Sequence, residues 1–253
     1  MRQYNRRRFA LNRNLQRAEQ SLDLVLQRCN IRLSNYVSDI GGKSMRNVIK
    51  ALSQGETDTN KLMALVHRRT INKHGKAVIC AALTGIISPA DRDMLFMGLQ
   101  EVGLYELQMS QCEEKLVALC KQYYAKELEL LQSVPGIKQL SAACIIAEIG
   151  ADMSYFQTSA SLVGWAGLRP RNDESAGKIK GRKTLHGNKY LRIMLTQCAW
   201  GASRTKSSVF FLRYNTLKKR MNHNKALMAN ARKLLVVIWN ILASKQGYLQ
   251  QAA

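Results

Sequence analysis

The sequence predicts a mainly α-helical protein: a long coiled-coil helical hairpin, followed by a compact helical domain with a helix-hairpin-helix-like turn and a long basic loop. Three observations predict this. Only three prolines, Pro89, Pro135 and Pro170, interrupt 253 residues, so long helices are permitted almost everywhere. Two stretches carry apolar residues at alternating steps of three and four, the seam of a coiled coil. The last part of the chain resolves into three amphipathic segments of helical period.

The first seam is Leu11, Leu15, Ala18, Leu22, Val25 and Cys29, on an Arg-rich helix that starts at the N-terminus. After Gly41-Gly42, residues 45–52 and 61–66 read as short helices and 77–86 as an apolar one. Ser88-Pro89-Ala90-Asp91 starts a much longer helix, with Asp91 and Asp93 at the positive end of its dipole. In it Leu95, Val102, Tyr105, Met109, Cys112, Leu116, Leu119 and Tyr123 keep the coiled-coil spacing, interrupted only by Gly98. An unbroken helix of this kind would extend about 60 Å at 1.5 Å per residue. The two seams suit each other as an antiparallel hairpin and equally suit a second subunit, so a homo-oligomer through the coiled coil is expected. Residues 1–130 thus read as a coiled-coil linker and dimerisation region, and 131–253 as a separate C-terminal domain.

That domain opens on Val134-Pro135-Gly136-Ile137, a tight turn between helices. Two readings stand. It is a helix-hairpin-helix whose backbone N–H groups accept a DNA phosphate, or it is an ordinary helix–helix corner; Lys138 occupies the place where such hairpins carry a second glycine. A small-residue helix follows at 141–150. After Gly164-Trp165-Ala166-Gly167-Leu168-Arg169-Pro170, residues 171–187 read as a loop, rich in cations and with little that could fill a core. Helices at 188–203, 207–221 and 225–245 close the chain.

Thirty-nine basic residues against 17 acidic ones give a net charge of +22, and the excess is unevenly placed. Residues 165–253 hold 18 basic and 2 acidic residues together with all three tryptophans, which points to a polyphosphate partner. The longest apolar run, 234–239, is broken by Asn240 and is far shorter than a span of about 20 residues, so no membrane partner is expected. The N-terminus lacks the apolar core of a secretory signal. The six cysteines fall on apolar helical positions without C-x-x-C or paired Cys/His spacing, so a reduced, cytoplasmic protein without a metal site follows. Neither a Walker loop nor a dinucleotide fingerprint is present, so ATP and nicotinamide cofactors are not implied. Asp39, Asp91, Asp93, Glu148 and Asp152 form no metal quartet; Glu148 and Asp152 read as turn or capping groups, and His186 as a solvated loop residue.

One constellation carries chemistry. Ser175 lies in Glu174-Ser175-Ala176-Gly177-Lys178, with Arg171, Lys178, Lys180, Arg182 and Lys183 close by in sequence. A serine that attacks a phosphodiester needs cations to stabilise the added negative charge of the pentacoordinate transition state. Those residue types are supplied here, although Ser-Ala-Gly by itself equally suits a turn.

Taken together, Val134-Pro135-Gly136-Ile137, Ala147-Glu148-Ile149-Gly150, the Gly164–Pro170 run, Glu174-Ser175-Ala176-Gly177-Lys178 and Gly187-Asn188-Lys189-Tyr190-Leu191-Arg192 resemble the C-terminal transposase domain of the insertion sequence one-ten family, with its eleven-eleven relatives. Ile31-Arg32-Leu33-Ser34, Val37-Ser38-Asp39-Ile40 and the long hairpin are similar to that family's coiled-coil linker. The resemblance implies DNA transposition guided by a bridge RNA, so DNA and that RNA are the implied partners. Ser175 matches the family nucleophile, which forms a covalent phosphoserine–DNA intermediate. From position, Arg171, Lys178 and Arg182 are read as phosphate-charge stabilisers, and Arg169, Lys180, Lys183, Lys189 and Arg192 as further nucleic-acid-binding candidates. Family members carry an N-terminal ribonuclease-H-like domain whose acidic residues bind magnesium. No alternating strand pattern precedes residue 30 here, so the chain is expected to be a fragment, inactive alone, with no cofactor of its own and magnesium arriving only with that domain. The rival expectation is a non-catalytic DNA- or RNA-binding module that oligomerises with full-length transposase and regulates it.

Overall fold

The computed structural model describes residues 1–170, 173–175, 178–181 and 184–248, and the side chains of these outside 171–183. Eleven α-helices and one small antiparallel strand pair are formed among the described residues. They fall into two compact units, residues 7–111 and residues 1–6 with 112–253, dividing inside a long helix after Gln111.

The unit of residues 7–111 is built on α1 (Arg2–Arg28) and α6 (Pro89–Gln132), each of which contributes one part of its length to it. The two run antiparallel. Arg28 pairs with Asp91 at one end, and Arg7 Nη2 donates to Gln108 Oε1 at 3.2 Å towards the other. The first seam is inside as its period requires: Leu22 and Cys29 are buried, with Leu15 and Val25 packed beside them. α2 (Lys43–Ser53), α3 (Thr59–Ala64) and α5 (Lys76–Leu83) take up the three helical patterns and bury Met45, Ile49, Leu62 and Ile79. α4 (Arg68–His74) was not expected, and it buries no residue, so it leaves no apolar period to read. Arg46 of α2 joins both long helices, at 3.1 Å from Glu19 Oε1 and 2.6 Å from Glu106 Oε1.

In the other unit the second seam departs from its expected course. Tyr124 has φ −139° and ψ 38°, which kinks α6 there. Tyr123, the last seam position by spacing, is 65% exposed, while Leu116, Cys120, Leu128 and Leu131 form the buried line. The buried line already steps by four from Leu116 to Cys120, so a seam counted in alternating threes and fours drifts off it before the kink. α7 (Gln139–Ile149) is apolar on all sides and buried from Ala142 to Ile149. α9 (Lys189–Ala202) packs on it, and α11 (His223–Ser244) contacts α8 (Ser159–Trp165), α9 and α10 (Val209–Lys218).

Two further expectations are corrected. With 22 residues, α11 is long and apolar enough to cross a membrane, although the unbroken apolar run in it is short. Its apolar side, including Leu234, Leu235, Ile238 and Leu242, is the core of this unit. The segment expected as a loop at 171–187 contains β1 (Asp173–Ser175) and β2 (Lys178–Gly181), paired antiparallel with an irregularity between Asp173 and Glu174. These strands hold one branched apolar residue, Ile179, so neither β-propensity nor alternation announces them.

Candidate nucleic-acid interface

The strand pair is rooted in the helical core by its flanks. α8 ends at Trp165; Gly167 follows with φ +71°, and Leu168 is buried. The chain leaves through Arg169-Pro170, and Pro170 bridges Thr184 antiparallel as it returns. Below that bridge the two flanks meet backbone to backbone. A Cβ on Gly187 would lie 2.2 Å from the Gly167 nitrogen, and one on Gly167 would lie 2.8 Å from the Gly187 nitrogen. No side chain fits between them, so the glycines of this motif are a requirement of closing the neck.

Asn188 then starts α9. Its Oδ1 accepts from the N–H groups of Tyr190 and Leu191 at 3.0 and 3.1 Å, and its Nδ2 donates to Glu148 Oε2 at 2.8 Å. Glu148 is thus no capping group, as its position near the end of α7 suggested. It is 1% exposed and gathers three segments. Asn5 Nδ2 donates to its Oε1 at 2.9 Å and Arg6 Nη2 to its Oε2 at 3.3 Å, with Arg2 Nε at 3.9 Å from the same oxygen. Arg2 also donates to the carbonyl oxygens of Ala147 and Glu148. A buried carboxylate is tolerated because its lone pairs are filled by amide and guanidinium donors.

This arrangement brings cations together from far apart in the sequence. The Arg6 guanidinium lies 5.0 Å from the Tyr190 ring centroid and the Lys189 ammonium 5.1 Å from the same centroid. Arg192 is half-buried one turn further along α9, and Arg169 is exposed at the neck. Arg2 and Arg6 were missed by the sequence reading. Their spacing of four put them on one helix face, but the carboxylate that places them is 142 residues from Arg6. The backbone of Ser175 ends β1 opposite Lys178. The side chains of Ser175, Lys178 and Lys180, and residues Arg171, Arg182 and Lys183 altogether, lie outside the described residues.

The turn at 134–137 adopts the corner reading. Gly136 has φ +86°, and a Cβ there would stand 2.3 Å from the Cys198 carbonyl oxygen and 2.5 Å from the Ala202 nitrogen. Its glycine therefore faces the backbone of α9, while Val134 and Ile137 are buried. Asp152 caps a short turn by accepting from Ser154 N–H at 2.9 Å, as its reading had it, and His186 is exposed. Burial pushes the Cys120 and Cys198 thiols up to about 11, Glu127 adding to the first, so both are neutral and poor nucleophiles near pH 7. Among the described residues no three His, Cys, Asp or Glu side chains come together to hold a metal ion, so none is assigned to magnesium.

Residues 128–215, which run from the end of α6 through the neck to α10, match the profile of the transposase IS116/IS110/IS902 family. The chain is 31% identical over 140 residues to the transposase for insertion sequence element IS1111A of Coxiella burnetii, covering 54% of this chain and 38% of that protein. It is likewise 31% identical over 128 residues to the insertion element IS900 uncharacterized 42 kDa protein of Mycobacterium paratuberculosis, covering 49% of this chain and 31% of the other. The chain therefore spans well under two thirds of the curated relatives it matches. The likeness to the IS116/IS110/IS902 family of transposases thus lies in the segment that builds the neck, the Asn188 cap and the α9 core.

Proposed function

We propose that this chain takes part in DNA transposition, with Ser175 as the nucleophile that attacks a DNA phosphodiester. The serine Oγ–P bond forms as the bond from phosphorus to the leaving sugar oxygen breaks, and the serine proton passes to that oxygen. The product is a phosphoserine link to one DNA end and a free hydroxyl on the other. Attack by a hydroxyl of the exchanged strand then reverses the step and frees the serine. Arg171, Lys178 and Arg182 neutralise the extra charge of the pentacoordinate state, and Arg169, Lys180, Lys183, Lys189 and Arg192 hold the flanking backbone. Target choice falls to a bridge RNA by base pairing, in a reduced cytoplasmic setting. Magnesium has no seat among the described residues, and no step here runs through it.

The observation that carries this reading is the position of Ser175. It ends a strand whose neck is closed by Gly167 and Gly187, and it lies inside the segment that matches the transposase family. A strand end carried on a closed neck suits a nucleophile that must meet a large duplex. The test is covalent trapping. End-labelled DNA carrying an insertion-element end is incubated with the chain and its guide RNA, then resolved under denaturing conditions. A protein–DNA adduct that maps to Ser175 by mass spectrometry and vanishes in Ser175→Ala is expected. An adduct that persists in Ser175→Ala overturns the assignment.

A second reading, a non-catalytic module that oligomerises and regulates, is favoured by one observation. Phe96, Met97, Leu104 and Leu107 are exposed on α6, on the opposite side of the helix from the buried Leu95 and Val102 at about 100° per residue. Leu116, expected as part of an intersubunit seam, is fully buried within its own unit and is not available for that role. If this reading holds, Leu104→Glu with Leu107→Glu lowers the oligomeric mass in sedimentation, and the unmodified chain binds DNA without forming an adduct.

A further inference from the structure

We propose that the corner joining α9, α10 and α11 is a second binding surface, for the phosphate backbone of duplex DNA, separate from the Ser175 strand pair. The choice of DNA rests on the reading above; the surface rests on its own geometry. Residues 204–225 contain seven cations, Arg204, Lys206, Arg213, Lys218, Lys219, Arg220 and Lys225, and no acidic residue. No Asp or Glu occurs anywhere after Glu174. All seven side chains are exposed, and none forms an ion pair among the described residues.

A bonded aromatic cluster brings these cations to one place. The Arg204 guanidinium lies 4.0 Å from the Trp200 ring centroid, and Trp200 meets the His223 ring edge-on at 5.0 Å. His223, the first residue of α11, is hydrogen-bonded through Nδ1 to the Tyr214 hydroxyl of α10. Met221 and Ala229 pack on the same cluster as Tyr214, Leu217 and Trp200. The α9–α10 connection, with Arg204 and Lys206, is therefore held beside the turn of Lys219 and Arg220 between α10 and α11. Cations on two adjoining turns, held by rings rather than by carboxylates, keep their full charge for a partner.

The same cluster decides what kind of partner fits. A single strand is bound by stacking its bases on open ring faces. Here Arg204 covers Trp200, Tyr214 is buried, and the rings meet edge to face, so the cluster presents charge rather than a stacking platform. Contacts of that kind are made to phosphates and are blind to sequence. The surface would hold the duplex in register while chemistry proceeds at the other site.

The experiment measures affinity of the full chain for a blunt duplex of random sequence by fluorescence anisotropy, between 50 and 300 mM salt. Lys218→Gln/Lys219→Gln/Arg220→Gln is compared with Lys121→Gln/Lys126→Gln, which removes two exposed lysines of α6 in the same unit. Circular dichroism checks the fold of each variant. The triple variant is expected to lower the slope of log K against log salt by about 2–3, near 0.9 for each lost phosphate contact, and to weaken binding by roughly tenfold or more at the low-salt end. The α6 pair is expected to leave the slope unchanged. An unchanged slope in the triple variant, or an equal loss in the α6 pair, overturns the proposal. So does loss of binding to an RNA duplex with DNA binding intact. Ser175→Ala is expected to retain the slope, so failure of the nucleophile assignment and failure of this surface are told apart.

Discussion

Replacing Glu148 by alanine tests whether the buried carboxylate holds α1, α7 and α9 together. The side chain is 1% exposed and accepts from Asn5, Arg6 and Asn188. Removing it deletes those bonds and leaves the buried Asn5 amide donor and the half-buried Asn188 one without their acceptor. Each unsatisfied donor costs about 1–3 kcal/mol, and truncating one member of a buried charged network costs about 3–5 kcal/mol in all. Arg2 and Arg6 are half exposed, so Arg2→Ala or Arg6→Ala loses only about 0.2–1 kcal/mol through the ion pair itself. The large asymmetry between the acid and its two cations is the diagnostic. Tryptophan fluorescence during urea unfolding reads it selectively, since Trp165, Trp200 and Trp239 all lie in the unit that contains Glu148. Glu148→Gln keeps the volume and one acceptor and is expected to fall between. A loss below about 1 kcal/mol in Glu148→Ala, or one no larger than that of Arg6→Ala, refutes the reasoning.

Two glycines of α6 should respond with opposite sign. Gly103 has nothing within 4 Å of a built Cβ, so Gly103→Ala is expected to stabilise by about 0.5–1 kcal/mol through helix propensity, whereas Gly98→Ala would set a methyl 2.6 Å from Leu22 Cδ2 and cost about 1–3 kcal/mol. Equal stabilisation of both in thermal denaturation would show that α1 and α6 do not approach closely there. At the start of α6 the Ser88 hydroxyl, the Arg28 guanidinium and the Ser88 N–H hold the Asp91 carboxyl well below the usual carboxylate range. A depressed carboxyl contributes stability that is present above its unfolded value near 3.9 and is lost as pH falls towards the folded value. Asp91→Asn is therefore expected to lower stability at pH 7 and to flatten the decline below about pH 4, monitored by far-ultraviolet ellipticity; an unchanged acid limb would contradict the capping geometry.

The helices of this protein were legible because each buries one stripe or is apolar throughout, and such patterns survive in a linear sequence. The seam from Leu11 to Cys29, the start of α6 at Ser88-Pro89 and the three closing helices are cases of this kind. α4 was illegible because it buries nothing, and the strand pair because hydrogen bonding and a closed neck hold it rather than apolar alternation. Tyr123 was misplaced because the buried line steps by four from Leu116 to Cys120, and a seam counted in alternating threes and fours drifts off it. At the interface, residue types were readable and partners were not. Ser175 and its neighbouring cations stand in one short run, whereas Arg2, Arg6 and Glu148 reveal their relation only across 142 residues or more.

By itself the sequence determined the helical class, the sign of the charge and the run of cations around Ser175, all of which depend on local period and composition. Only the tertiary structure decided that Glu148 is a buried junction, that Gly136 serves packing, and that Arg204 stands beside the α10–α11 turn. The physical reason is range. Helix period and electrostatic sign are properties of neighbours in the chain, but burial of a charge, contact between two backbones and convergence of cations depend on which distant segments the fold brings within a few ångströms.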